Sequence, residues 1–177
     1  MLGISRRGWV KNIVLIGFMG TGKSVLGKRL AKLLKMPFIS TDDIIEQKEG
    51  RTISEIFGSL GEQYFRDAEK EAVKGASAME GVVIAAGGGA VLNEENITNL
   101  KKNGVMFCLT ASAQDIYERT KNYKHRPLLN VADPVTRIKE LLAERSMFYA
   151  KANFQIDTTG KSVEEVTHEI IKWLKKV

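Results

Sequence analysis

One stretch limits the folds open to this chain more than any other: Gly17-Phe18-Met19-Gly20-Thr21-Gly22-Lys23-Ser24. It satisfies every fixed position of the phosphate-cradling spacing G-x-x-x-x-G-K-[ST]. Such a loop works between a strand and a helix, because it must curl its N–H groups around an anion and end on a helix N-terminus. Both flanks are present. Ile13-Val14-Leu15-Ile16 is a short β-branched run of the buried-strand kind, and Val25, Leu26, Leu30, Leu33 and Leu34 fall at helical spacing behind the loop. Glycines allow the backbone angles and the close approach. Lys23 is placed to reach the terminal phosphates of a nucleotide, with Gly20, Thr21, Gly22 and Val25 around it, and the Ser24 hydroxyl is placed to ligate Mg²⁺.

Strand-like and helix-like segments alternate along the rest of the chain. Strands are expected near 12–16, 37–39, 82–86, 105–109 and 154–157. Helices are expected over 23–35, 42–49, 52–57, 60–79, 93–102, 112–120, 134–149 and 162–175. That alternation predicts an α/β fold, a parallel sheet with helices on both faces, in one domain of 177 residues. Ligands of such sheets bind beyond the carboxyl ends of the strands, so the loops after the first three strands should share a cleft. Lys121 to Asp133 is polar, basic and without periodicity, which makes it a candidate lid.

Charge and composition narrow the function. The net charge of +6 is spread along the chain without aromatic-basic interleaving, so it fits an anionic small substrate better than nucleic acid. No apolar run reaches the ~20 residues of a membrane span. Met1 to Lys11 is cationic but lacks the apolar core of a signal peptide, and these points favour the cytoplasm. The single cysteine, Cys108, lies in an apolar run and reads as a buried structural thiol.

The remaining candidates surround the expected cleft. Asp42 follows the second strand, where it can hold a substrate hydroxyl and take its proton, or simply cap the next helix; Ser40 and Thr41 could cap equally well. Gly87-Gly88-Gly89 follows the third strand and either presents N–H groups to a substrate or makes a tight turn. Arg66 and Arg145 can each fork a carboxylate or bridge a surface acid. Arg126, in the basic loop, can meet a transferring phosphoryl group, and Arg119 can stack on an adenine ring. Neither His125 nor His168 has metal-ligand spacing.

Several ordered motifs together resemble the shikimate kinase family of nucleoside-monophosphate-kinase-like P-loop proteins. They are the phosphate loop, Thr41-Asp42 leading to Ile45-Glu46-Gln47, Gly50-Arg51-Thr52-Ile53, and Gly61-Glu62 with Phe65-Arg66 and Glu69. The triple glycine, Arg126-Pro127-Leu128-Leu129, and Arg145 before Tyr149 complete the set, from about Lys11 to the C-terminus. The resemblance implies a five-stranded sheet of order 2-3-1-4-5, a monomer, ATP with Mg²⁺, and transfer of the γ-phosphoryl group to the 3-hydroxyl of shikimate. It implies that Asp42 binds the shikimate hydroxyls, that Arg66 and Arg145 hold its carboxylate beside Gly87, Gly88 and Gly89, and that Arg126 is the lid arginine. Arg119 and Thr159-Gly160-Lys161 would border adenine. Two places depart from the family's pattern: Ser40 stands where many members carry an acid that supports Mg²⁺, and Ala85-Ala86 where many carry Thr or Ser. Other readings are another small-molecule kinase of this fold, such as a gluconate or nucleoside-monophosphate kinase, a non-catalytic ATP-binding relative, and a nucleic-acid-binding module.

Overall fold

The computed structural model describes residues 11–122 and 131–176. Five strands, β1 (Asn12–Gly17), β2 (Phe38–Ser40), β3 (Val83–Ala85), β4 (Gly104–Thr110) and β5 (Phe154–Asp157), form one parallel sheet of order β2-β3-β1-β4-β5. Central β1 pairs with β3, Leu15 opposite Ala85, and with β4, Leu15 opposite Phe107. Crossover helices alternate with the strands: α1 (Lys23–Leu34), α2 (Thr41–Glu49), α3 (Ile53–Ser77), α4 (Glu94–Lys102), α5 (Ala113–Thr120), α6 (Pro134–Tyr149) and α7 (Val163–Leu174).

The two-residue period of β1 divides the core. Ile13 and Leu15 face α1 and α7, with Leu30 and Ile170 packed beside them. Val14 and Ile16 face the opposite layer, where Val73 of α3, Ile97 of α4 and Ile138 of α6 close over the sheet. A third, smaller cluster joins α2 to α3 through Ile45, Ile56, Phe65 and Ala72. Its separateness follows from β2, a strand of three residues at the sheet's edge.

The expected strands and helices are present, with small shifts at their ends. The helices expected over 52–57 and 60–79 meet end to end in α3, with the break between them at Gly61, whose backbone lies at φ 85° and ψ 171°. Thr52 and Glu55 form a reciprocal capping box at its start. A turn of 3₁₀-helix at Ala90–Leu92 follows the triple glycine. On α1, Leu26 and Leu30 are buried, but Val25 and Leu33 face out, so the apolar stripe is narrower than the sequence suggested. The basic loop expected to act as a lid, with His125 and Arg126, lies mostly outside the described residues.

Candidate active site

The loops after β1, β2 and β3 converge on one cavity of about 700 Å³ at the carboxyl edge of the sheet. Adjacent strands bring them together: β1 delivers the phosphate loop, β3 the triple glycine, and β2 the start of α2. Gly20, Gly22, Lys23, Ser24 and Val25 line one part of the cavity; Asp42, Arg66, Gly88, Gly89 and Arg145 line another, with Arg119 also on its wall.

In the phosphate loop, Gly22 sits at φ 95°, the left-handed region that a side chain strains. Lys23 Nζ donates to the carbonyls of Gly17 at 2.8 Å and Phe18 at 2.9 Å, drawing the ammonium back across the loop. Thr21 is buried rather than facing the cavity, and its hydroxyl donates to Phe18 O at 2.7 Å.

Ser40, not Asp42, caps α2: its hydroxyl accepts from the Asp43 N–H at 3.2 Å. Asp42 is therefore on the cavity wall without a capping duty. The buried Thr41 hydroxyl accepts from the Gly87 N–H at 2.9 Å and fixes the glycine loop against the start of α2. Gly87 itself is buried behind the lining, and a Cβ there would lie 2.7 Å from both Asp42 Oδ1 and Glu69 Oε1. A Cβ at Gly89 would meet Arg66 Nη1 at 2.4 Å. The loop is glycine because two carboxylates and a guanidinium crowd its backbone, which is more than a turn requires.

Arg66 and Arg145 approach the glycines from different helices. Arg66 donates to Glu69 at 2.8 Å and to Glu62 at 3.0 Å, and its guanidinium lies over Phe65. Arg145 is buried on α6, donates to Gly88 O at 3.4 Å, and stacks over Phe18. Tyr149, one turn on, also donates to Gly88 O. Burial pushes the Glu69 carboxyl above its ordinary range despite the pull of Arg66, and Asp42 pushes it further. Glu69, read from the sequence only as part of a motif, is thus a structural member of the site; its i,i+3 spacing to Arg66 was the available signal.

Arg119 is held in place by hydrogen bonds: it donates to Thr158 O at 2.9 Å, to Thr158 Oγ1 at 3.0 Å and to Gly20 O at 3.4 Å. Lys161 stands outside the cavity lining, 2.9 Å from Glu169. His168 is exposed on α7. Burial pushes the Cys108 thiol up to about 12, which keeps it protonated and inert.

The residues present fit Mg²⁺ only as a companion of a nucleotide. Among the described residues no group of three or more His, Cys, Asp or Glu could cage a metal. The Ser24 hydroxyl stands exposed at the start of α1, on the cavity wall, and one hydroxyl plus phosphate oxygens and waters is a donor set that suits Mg²⁺. Ser40, a neutral hydroxyl, adds no charge, and it is engaged as a cap.

The fold and site have close counterparts. The shikimate kinase family model matches residues 19–175. The shikimate kinase of Thermodesulfovibrio yellowstonii is 53% identical over 163 residues, 92% of this chain and 94% of that protein. That of Geobacter metallireducens is 45% identical over 172 residues, 97% of this chain and 96% of that protein. Among solved structures, the shikimate kinase of Acinetobacter baumannii in complex with shikimate superposes with a TM-score of 0.90 at 33% identity, covering 94% of each chain. A gluconokinase from Sinorhizobium meliloti, at 17% identity and a TM-score of 0.57 over 94% of this chain and 92% of that one, shares the fold alone. No helix among the described residues is long and apolar enough to cross a membrane. A family match running through all four crossover connections, with relatives about half identical over more than nine-tenths of their length, makes this chain a member of the shikimate kinase family.

Proposed function

We propose that this chain, acting as one domain, transfers the γ-phosphoryl group of ATP to the 3-hydroxyl of shikimate, a step in aromatic amino-acid biosynthesis. One observation supports this most: two arginines and a carboxylate share a single cavity with a complete phosphate loop. A hydroxylated carboxylic acid matches that inventory, its carboxylate forked by Arg66 and Arg145 and its hydroxyls on Asp42 and the Gly87–Gly89 backbone.

The nucleotide phosphates lie in the loop from Gly20 to Val25, with Lys23 on the β- and γ-phosphates and Arg119 beside the base. Mg²⁺, held by Ser24, phosphate oxygens and waters, neutralises charge on those phosphates when bound. The 3-hydroxyl oxygen forms a bond to the γ-phosphorus as the bond from that phosphorus to the bridging oxygen breaks, leaving ADP. The hydroxyl proton passes to Asp42. A loose transition state asks more of positioning and charge stabilisation than of the base. The resemblance assigns Arg126 and the loop around 121–133 to closing over the phosphates and excluding water; Arg126 lies outside the described residues. It also places Lys161 near adenine, and the ion pair with Glu169 sets that residue back from the cavity. Family habit supports a monomer, and the substrates suit the cytoplasm.

The test is ADP release from Mg-ATP with shikimate, gluconate or nucleoside monophosphates as acceptors. Release stimulated by shikimate alone is expected. Equal stimulation by another acceptor, or none by any, refutes the reading.

A further inference from the structure

We propose that Asp115 is a positioning residue for the nucleotide, acting through a clasp that joins α5 to the loop after β5. The inference rests on the reading of the phosphate loop as the ATP site. Asp115 Oδ2 accepts from Arg119 Nη2 at 3.2 Å and from the Gly160 N–H at 3.1 Å. One carboxylate oxygen therefore ties the guanidinium on its own helix to a backbone group 45 residues away. Arg119 carries the tie onward, donating to Thr158 O, to Thr158 Oγ1, and to the phosphate-loop carbonyl of Gly20. Thr158 is buried and its hydroxyl donates to Thr110 O at 2.9 Å, so the far end of the clasp is anchored in the sheet. The Thr159 hydroxyl adds a parallel link by accepting from the Ser112 N–H at 3.0 Å.

Three segments meet here: the phosphate loop, the start of α5, and residues 158–160. Arg119 lines the cavity, whereas Asp115 does not. The carboxylate has no route to the reacting atoms and acts only by setting where Arg119 and Gly160 stand. A guanidinium has five donors in a fixed fork, and this one commits both of its Nη atoms to the framework. Its plane is therefore set before a base arrives, which lowers the ordering cost of binding. An acidic residue in the first turn of α5 also suits the helix dipole, but that role makes no demand on Gly160 or Arg119.

The test is Asp115→Asn in the full-length chain, which keeps the shape and removes the charge. Initial rates are measured against ATP and shikimate separately, and the dissociation constant for Mg-ADP is measured by calorimetry. The expected result is a rise of roughly three- to tenfold in both the KM for ATP and the ADP dissociation constant, as for a lost, partly exposed charge-assisted tie. The KM for shikimate and kcat stay within about twofold, as does every constant of the control Glu118→Gln, whose side chain pairs with Gln114 and Lys121 among the described residues. Unchanged nucleotide constants, or an equal rise in both KM values, overturn the clasp. Failure of the wild-type chain to release ADP with shikimate would instead overturn the kinase reading, so the two failures are distinguishable.

Discussion

Replacing Gly87 by alanine tests whether the glycine loop is small because two carboxylates press on it. The new methyl carbon would stand 2.7 Å from Asp42 Oδ1 and from Glu69 Oε1. Side-chain carbons essentially never come closer than 3.0 Å to such neighbours, so each oxygen must retreat by at least about 0.3 Å. Neither retreat is free. Gly87 N–H is fixed by Thr41, Glu69 is buried against Arg66, and Asp42 opens the first turn of α2. Over-packing of this kind costs about 1–3 kcal/mol. At this chain length each kcal/mol lowers Tm by roughly 2–4 °C. The functional effect is larger and one-sided. On the proposed reading Asp42 holds the acceptor hydroxyl and Glu69 holds the arginine that forks its carboxylate, so kcat/KM for shikimate should fall about 10- to 100-fold. The phosphate loop hangs from a different strand, and the KM for ATP should stay within about twofold. Steady-state rates with each substrate varied in turn provide the assay. A lowered Tm with kcat/KM for shikimate unchanged would refute the argument, because the carboxylates could then move without the acceptor noticing.

Three further outcomes follow from the same geometry. Lys23→Ala should lower kcat by at least about a thousandfold while circular dichroism stays unchanged, and near-normal turnover would remove the phosphate-loop assignment. Burial raises the Glu69 carboxyl above its ordinary 4.5, so the fold favours its protonated form: this contribution to stability is full below pH 4.5 and is lost as pH rises through the folded value. Glu69→Gln should therefore flatten the decline of Tm with pH just above 4.5, and an unchanged slope in thermal melts would contradict the burial argument. Ser40→Asp keeps a competent cap for α2 while adding the acid that many members of the family carry at this place in support of Mg²⁺, and should lower the Mg²⁺ concentration for half-maximal rate by a few-fold in a metal titration.

Much of this architecture was legible because the phosphate loop needs a strand before it and a helix after it, and the later strands are apolar runs with turn residues at their ends. The break in α3 was legible as well: the helices expected over 52–57 and 60–79 meet at Gly61, which leaves helical geometry, and the capping box at Thr52 and Glu55 starts the first of them. The 3₁₀ turn at Ala90–Leu92 has no periodicity of its own; backbone bonds to Gly87 O and Gly89 O create it. The site divides in the same way. Arg66, Arg145 and Asp42 could be named because their chemistry is carried by their side chains. The duty of Ser40 as cap left Asp42 to the cavity, and only the fold could assign the two roles. Asp115 and Arg119 sit four apart on one helix, a spacing visible in sequence, but their partners Thr158 and Gly160 arrive from the far end of the chain. Glu69 was legible only as a motif residue, and its burial beside Asp42 is visible only in the fold.

The small cluster of Ile45, Ile56, Phe65 and Ala72 has a consequence for motion. It stabilises α2 and α3 against each other, apart from the two larger cores that clamp the sheet. Glu46 strengthens the same partnership by accepting from the Ile53 N–H at 2.9 Å. A unit with its own core and an edge strand of three residues can swing out intact at a free-energy cost well below global unfolding. In amide exchange, α2 and the first half of α3 should exchange together and ahead of β1 and α1. On the proposed reading bound acceptor spans from Arg66 on this unit to Arg145 on α6, and it should slow them. The acid substrate would thus act as the latch on one jaw of the enzyme, while the jaw that grips the nucleotide stays fixed to the sheet.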